Sequence, residues 1–386
     1  MGDPTEAGIS SGENLTETSS ETSFSESIGD IIPEDLPTGF EMFESDSIVP
    51  EGFEWCTCDL TEEECCAKVC DLLMDGEQKQ GRGRSIKIHT TDYLRWSCCP
   101  PGYLPGLHVG IWDCSSRQLV AFVAAIPVTV RLMEESSRMA RICYKVLRSD
   151  FRDRIPLKII CNEVIRRIRL SNIQWVISAK PTREPVSMAF PMWQRPLNSN
   201  KLFKIGTFQN SVMTLPEIVE FYELPRSPDI RGFKGMNVAH VRALTGLLYT
   251  YLQKFNLAPE FTEDDVKHWF LPRADLLHSY VNVTPNGEII GFCSFITLRQ
   301  PQQDRMLKLA FSFYNFTVGM PLQQLMRDAI IIARENQCDS FFVYKIMSNA
   351  SFLTELRFFP SGWHIQYNGL EGLRSLDMDR IGLVLL

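Results

Sequence analysis

Two groups of residues in this chain have types and spacings that could do chemistry on their own. Cys56, Cys58, Cys65, Cys66 and Cys70 crowd into one short stretch, as the sulfurs of thiolate metal sites do. The stretch lacks the CxxC pair that sets two sulfurs around a zinc ion, so ordinary reduced thiols are expected and no metal. His268 stands beside Trp269, where an imidazole could move a proton. A histidine flanked by aromatic residues is more often packed than catalytic, and a packed role is expected. The chain opens Met1-Gly2 like an acceptor of N-terminal acylation, yet Glu6 stands where an acceptor carries Ser or Thr, so the chain is not expected to be acylated itself.

The elements that would position such groups have ample material. The 386 residues, 44% of them apolar, can bury the core of one large domain or of two joined ones. The net charge of −8 comes from 39 basic and 47 acidic residues mixed along the chain, with no long basic stripe, so no nucleic-acid partner is expected. No apolar run reaches the ~18 residues of a membrane span, and the first residues lack the basic and apolar regions of a signal peptide. A cytoplasmic protein with no transmembrane segment follows as the expectation. There the thiols stay reduced and the sequons at Asn14, Asn282, Asn315 and Asn349 carry no sugar.

Residues 1–45 are rich in Ser, Thr, Glu and Gly, cannot offset the entropy of ordering, and are expected to form a disordered arm. Thr61 with Glu64 reads as a capping box opening a helix to Met74, and residues 75–85 (DGEQKQGRGRS) as an exposed loop. Beyond it, one order of elements occurs twice. Residues 119–130 (LVAFVAAIPVTV) and 140–147 (ARICYKVL) read as strands, then comes a helix from about Ile155 to Ile168 and a strand at 173–178. About 165–170 residues later the series returns, with strands at 288–298 and 308–316, a helix from Pro321 to about Asn336, and a strand at 340–344. Pro321 is expected in the first helical turn. The repeat predicts an α/β (α+β) protein of two pseudo-symmetric halves, about 46–215 and 216–386, around a continuous mixed sheet.

Three motifs say more. Residues 94–130 carry Arg95-Trp96, Pro100-Pro101-Gly102 and Ala125-Ile126-Pro127; residues 251–272 read YLQKFNLAPEFTEDDVKHWFLP; residues 309–333 read LAFSFYNFTVGMPLQQLMRDAIIIA, followed by MSNASFLTELRF at 347–358. The chain then ends Ile381-Gly382-Leu383-Val384-Leu385-Leu386. In order and spacing, over about residues 50–386, these resemble the glycylpeptide N-tetradecanoyltransferases (N-myristoyltransferases).

The resemblance implies two acyl-CoA N-acyltransferase-like halves, the first binding acyl-CoA and the second the peptide. It implies a monomer that uses myristoyl-CoA as co-substrate, holds no permanent cofactor, and acylates the N-terminal glycine of peptides and nascent proteins by direct attack of the amine. A glycine amine of pKa ~7.7–8.0 must first lose a proton. In the family the acceptor is the terminal carboxylate, here that of Leu386. The oxyanion donors of the family map to the backbone N–H groups of Tyr144 and Lys145, within Cys143-Tyr144-Lys145-Val146-Leu147. The CoA contacts map to Lys145, Val146 and Leu147 and to Arg152, Asp153, Arg154, Ile155, Pro156 and Leu157, where a helix start can hold phosphates. The site that receives the peptide amine maps to Ser178.

The chain also departs from the family. Asp153 brings negative charge to a phosphate site, Pro156 removes an N–H, and Lys180 replaces a glycine beside the peptide amine. The family's aromatic Lys-Phe-Trp stretch has no match in residues 1–45, and its acidic loop is replaced by residues 75–85 with Lys79, Arg82 and Arg84. The alternative is therefore a non-catalytic relative that keeps the fold as a binding or regulatory protein.

Overall fold

The computed structural model describes residues 48–78, 90–207, 213–302, 304–369 and 376–385. Residues 1–45, 79–85 and Leu386 lie outside the described residues, and 75–78, expected to open a loop, continue the helix at Glu63–Gln78. The strands are β1 (Phe53–Thr57), β2 (His108–Asp113), β3 (Gln118–Leu132), β4 (Glu135–Leu147), β5 (Trp175–Thr182), β6 (Ala189–Pro196) and β7 (Phe233–Gly235), then β8 (Leu257–Pro259), β9 (Leu277–Val283), β10 (Ile289–Gln302), β11 (Arg305–Thr317), β12 (Ser340–Tyr344) and β13 (Phe359–Asn368). They join one mixed sheet in the order β1-β2-β3-β4-β5-β13-β6-β12-β11-β10-β9-β7, with β8 laid on β3. The continuous mixed sheet read from the repeat is therefore present.

Both copies of the repeat follow one plan. β3 runs antiparallel to β4, which pairs in parallel with β5 after a helix at Leu157–Leu170. β10 runs antiparallel to β11, which pairs in parallel with β12 after a helix at Leu322–Glu335. Burial on both faces accounts for the apolar run of β3. Ala121, Val123 and Ala125 enter one core with the helix at Leu157–Leu170, while Leu119, Phe122 and Ala124 enter another with the helix at Glu63–Gln78. The helix between β4 and β5 buries Ile160, Val164 and Ile168, the one-turn spacing of a single apolar stripe.

Two local expectations are corrected. Thr61 does not cap with Glu64: its N–H and hydroxyl donate to Asp59 Oδ1 at 2.9 and 2.6 Å, and Glu64 accepts from Lys68 at 2.7 Å. An aspartate two residues back offers a shorter loop closure, and a lysine one turn ahead competes for Glu64. Pro321 stands at the N-cap instead of in the first turn, and so does Pro156 at the matching helix, both with φ near −62° and extended ψ. The cap position needs no helical ψ, so proline fits it as well.

The halves are interleaved. β13, last in the chain, lies between β5 and β6, and β6 pairs with β12 of the later half.

Candidate active site

The site begins where β4 leaves its neighbours. The β3–β4 register steps from Ala125↔Ile142 to Ala124↔Tyr144, so Cys143 is an extra residue in β4. Such a bulge bends the strand. The parallel ladder to β5 ends one residue earlier, at Ile142↔Ser178, after which β5 pairs with β13 through Ala179 and Lys180. β4 and β5 thus part beyond Ile142 and Ser178. Arg148 N–H donates to Val120 O at 2.9 Å, and strand alternation from that bond turns the N–H groups of Lys145 and Leu147 away from β3, toward the gap. The same alternation turns that of Tyr144 toward β3 beside the bulge.

The side chains around the gap are neutral or anchored. Burial raises the Tyr144 hydroxyl well above the usual phenol range, and its oxygen lies 3.4 Å from Ser97 Oγ. Burial likewise holds the Cys98 thiol, which shares a hydrogen bond with Cys143, in its protonated form. Lys145 is buried, whereas Val146 is partly exposed and Leu147 buried. Ser178 is buried at the last rung of the ladder, and its Oγ has no hydrogen-bond partner among the described residues. A buried hydroxyl without a partner is a site where a ligand group fits.

From Leu147 the chain enters a short turn at Ser149–Phe151 and then exposes Arg152, Asp153 and Arg154. Arg154 lies over the Phe53 ring at 4.6 Å, so it is partly engaged by aromatic packing. Ile155 is fully buried and anchors the loop, Pro156 is exposed, and Leu157 begins the helix. Pro156 offers no side-chain oxygen to the first helical turn. The Ile159 N–H donates to Pro156 O at 3.0 Å, and the positive end of the helix stands beside two arginines, which fits a phosphate-bearing cofactor.

The chain's last described residues approach from the later half. Ile381, Leu383, Val384 and Leu385 are all buried. Tyr367 donates to Leu383 O at 2.8 Å and accepts from Leu385 N–H at 3.1 Å, while Tyr314 accepts from Val384 N–H at 3.1 Å. Leu383, Val384 and Leu385 line a cleft of about 240 Å³ with Arg138, Arg141, Glu260, Asp265 and Trp269. The role assigned to Leu386 falls outside the described residues.

His268 is a clamp: its Nε2 lies 2.7 Å from Trp96 O, and Trp96 Nε1 donates to His268 O at 3.2 Å. Burial lowers its pKa, as it does for a packed neutral ring. The cysteines of the 56–70 cluster are free thiols. Tyr314, Tyr367 and Arg141 were not singled out by sequence reasoning. Tyr314 had a signal, because it holds the place in the later half that Tyr144 holds in the earlier one, beside the register shift of β10 and β11. Arg141 and Tyr367 had none.

Two parallel strand pairs, each ending just before a register shift and each joined by a helix with a proline at its cap, make this an acyl-CoA N-acyltransferase-like fold in two pseudo-symmetric halves. The chain matches two family models, the N-terminal domain of myristoyl-CoA:protein N-myristoyltransferase over residues 39–189 and its C-terminal domain over 207–368. It belongs to that family. It is 33% identical over 348 residues to glycylpeptide N-tetradecanoyltransferase 1 of Arabidopsis thaliana, covering 88% of this chain and 80% of the relative. Against glycylpeptide N-tetradecanoyltransferase 2 of Danio rerio it is 32% identical, covering 87% and 70%. A crystal structure of Saccharomyces cerevisiae N-myristoyltransferase with bound myristoyl-CoA shares the fold with a TM-score of 0.79 at 22% identity, covering 88% of this chain and 86% of the other. Among the described residues no helix is long and apolar enough to cross a membrane.

Proposed function

We propose that this protein transfers the tetradecanoyl group of myristoyl-CoA to the N-terminal glycine of peptides and nascent proteins, acting as a monomer in the cytoplasm. The observation that carries the reading is membership of the family over both halves, combined with the gap between β4 and β5. In this reading the CoA phosphates sit against the first turn of the helix at Leu157–Leu170, with Arg152 and Arg154 beside them and Lys145, Val146 and Leu147 along the pantetheine arm. The thioester oxygen takes its hydrogen bonds from the backbone N–H groups at Tyr144 and Lys145. The Lys145 donor is the better supported, since alternation turns it to the gap, whereas the donor of Tyr144 depends on the bend at the bulge. Ser178, with its unpartnered hydroxyl, receives the glycine amine.

The amine attacks the thioester carbonyl, forming the C–N bond and a tetrahedral oxyanion. The C–S bond then breaks and the departing CoA thiolate takes up the nitrogen's second proton, the first having passed from the glycine ammonium to the terminal carboxylate of Leu386 before attack. The grip of Tyr314 and Tyr367 on Leu383, Val384 and Leu385 supports that assignment, because it fixes the residues before the carboxylate. The test is incubation of the purified protein with myristoyl-CoA and a glycine-initiated peptide, with acylated peptide read by mass and CoA thiol by titration. Both products should appear in equal amounts. If neither appears while acyl-CoA binds, the chain is a binding protein on a transferase fold, the reading that Asp153 and Lys180 favour.

A further inference from the structure

One core cluster gathers most of the sulfur of this chain. Eight of the twelve cysteines lie in it or pack against it, with β3 and the helices at Glu63–Gln78 and Thr91–Cys98. Some of their mutual contacts are local, as between Cys56 and Cys58 or Cys66 and Cys70. The contact of Cys98 with Cys143 is different, because it joins the end of the helix at Thr91–Cys98 to the bulge of β4.

The surroundings of this pair are close-fitting. Cys143 Sγ donates to Ser97 O at 3.7 Å, and Cys98 Sγ lies 3.7 Å from Ser97 Oγ, whose other neighbour is the Tyr144 hydroxyl at 3.4 Å. Cys98 is fully buried and Cys143 half-buried, so a small molecule from solvent meets Cys143 first. The hydrogen bond from Cys98 and the nearby Arg141 charge hold the Cys143 thiol below its usual range, while burial raises that of Cys98. The more readily ionised sulfur is the one that meets an oxidant, and its neighbour is placed to resolve the product.

The two backbones differ in freedom. The helix is fixed by the clamp of Trp96 with His268 and by Arg95, which donates to Leu60 O at 3.0 Å and pairs with Glu63. Cys143 is skipped by the β3 ladder and lies beyond the last rung to β5. A disulfide is shorter than the contact of two thiols, so its closure draws the bulge toward the helix. The bend at that bulge is what aims the amide of Tyr144.

We propose that Cys98 and Cys143 form a reversible thiol–disulfide switch, oxidised by hydroperoxides, that misaligns the bulge and lowers acyl transfer. The effect on transfer rests on the transferase reading. The Cys143 thiolate attacks a peroxide oxygen, the O–O bond breaks, and hydroxide leaves with the proton that Cys143 gave up, as water. The sulfur of Cys98 then attacks the resulting Cys143 sulfenic acid. The S–S bond forms, the S–O bond breaks, and the departing hydroxide takes the Cys98 proton as a second water. Exchange with a dithiol restores both thiols, which suits a compartment where disulfides are transient.

The full chain is treated with hydrogen peroxide, its remaining thiols are alkylated, and tryptic peptides are read by mass with and without reduction. Residues 96–117, which carry Cys98, should be linked to residues 142–145, which carry Cys143. The link should survive Cys99→Ser and be lost in Cys98→Ser, where dimedone should trap the Cys143 sulfenic acid instead. The oxidised parent should transfer myristate at about one tenth of the reduced rate or less, since losing an oxyanion donor costs about 10²–10³-fold, and dithiothreitol should restore it. Calorimetry with myristoyl-CoA reads the switch without turnover. If neither form transfers, weaker binding by the oxidised form upholds the switch while removing the transferase reading. Absence of the link, or a link that survives Cys98→Ser, overturns the proposal. So does a linked chain that transfers as fast as the reduced one or, where neither transfers, binds myristoyl-CoA equally.

Discussion

His108 shows what burial does to one titratable residue in this fold. Its ring is fully buried, stacks on Tyr103 at 5.6 Å, and has its pKa pushed down to about 4 by loss of solvent. In the unfolded chain the same ring takes a proton near pH ~6.5. Below that pH the unfolded state gains a proton that the folded state refuses, so stability present above ~6.5 is lost as pH falls toward 4. The expected loss is about 1.4 kcal/mol per pH unit inside that window from this ring alone. Urea unfolding of the parent and of His108→Phe at several pH values between 4.5 and 7.5 measures it, and the variant should show the shallower dependence. Equal slopes would mean that the ring takes its proton as readily in the fold as in the unfolded chain. At this scale the sequence was only partly legible. His268 reads as a packed residue from its aromatic neighbour alone, and the structure gives it two backbone partners in Trp96. His108 was not singled out in the sequence, and its burial follows from its place at the start of β2 against β3. Nothing in the letters around Arg141 distinguishes it from Arg138, because exposure is decided by which strand pairs beside β4.

The loop and helix that follow β4 make a prediction about an element. Arg152 and Asp153 are both exposed, one residue apart, in front of the uncapped first turn at Leu157. With phosphates at that turn, Arg152→Ala should weaken CoA binding about tenfold, the scale of one charge-assisted hydrogen bond, and Asp153→Asn should strengthen it. Arg154→Ala is a poorer probe, since removing a guanidinium from above Phe53 also costs packing and stability. Calorimetric titration with CoA separates these, and unchanged affinity in the Arg152 and Asp153 variants would place the phosphates elsewhere. The strands and helices of the repeat were legible, because apolar residues at one-turn spacing fit a helix and near-continuous apolar runs between turns fit buried strands. What periodicity cannot show is the bulge at Cys143. An extra residue in a strand leaves the apolar pattern almost intact, and only its partner's register reveals it.

For the whole molecule, the repeat gave two halves, but the order of strands in the sheet was not legible. Insertion of β13 between β5 and β6 is a pairing between segments far apart in the chain, and each strand carries only a generic alternation. The tail completes this interleaving. Gly382 N–H donates to Leu257 O at 2.7 Å on β8, which itself lies on β3 of the earlier half, while Tyr367 of β13 and Tyr314 of β11 hold the residues that follow. A buried lock of this kind is vulnerable at Tyr367, whose one hydroxyl serves both Leu383 O and Leu385 N–H. Tyr367→Phe keeps the ring against Phe190 but leaves a buried carbonyl and a buried N–H unpaired, each costing about 1–3 kcal/mol. The variant should therefore lose about 2–6 kcal/mol in urea unfolding, a large share of the stability of an ordinary domain. Because the tail touches both halves, the loss should appear in one transition followed by fluorescence and by circular dichroism alike. Hydrogen exchange adds a local readout, with the amides of Val384 and Leu385 gaining exchange rate before those of β3 or β10. A variant as stable as the parent, with those amides still protected, would show that the apolar side chains of the tail hold it in place without the hydroxyl.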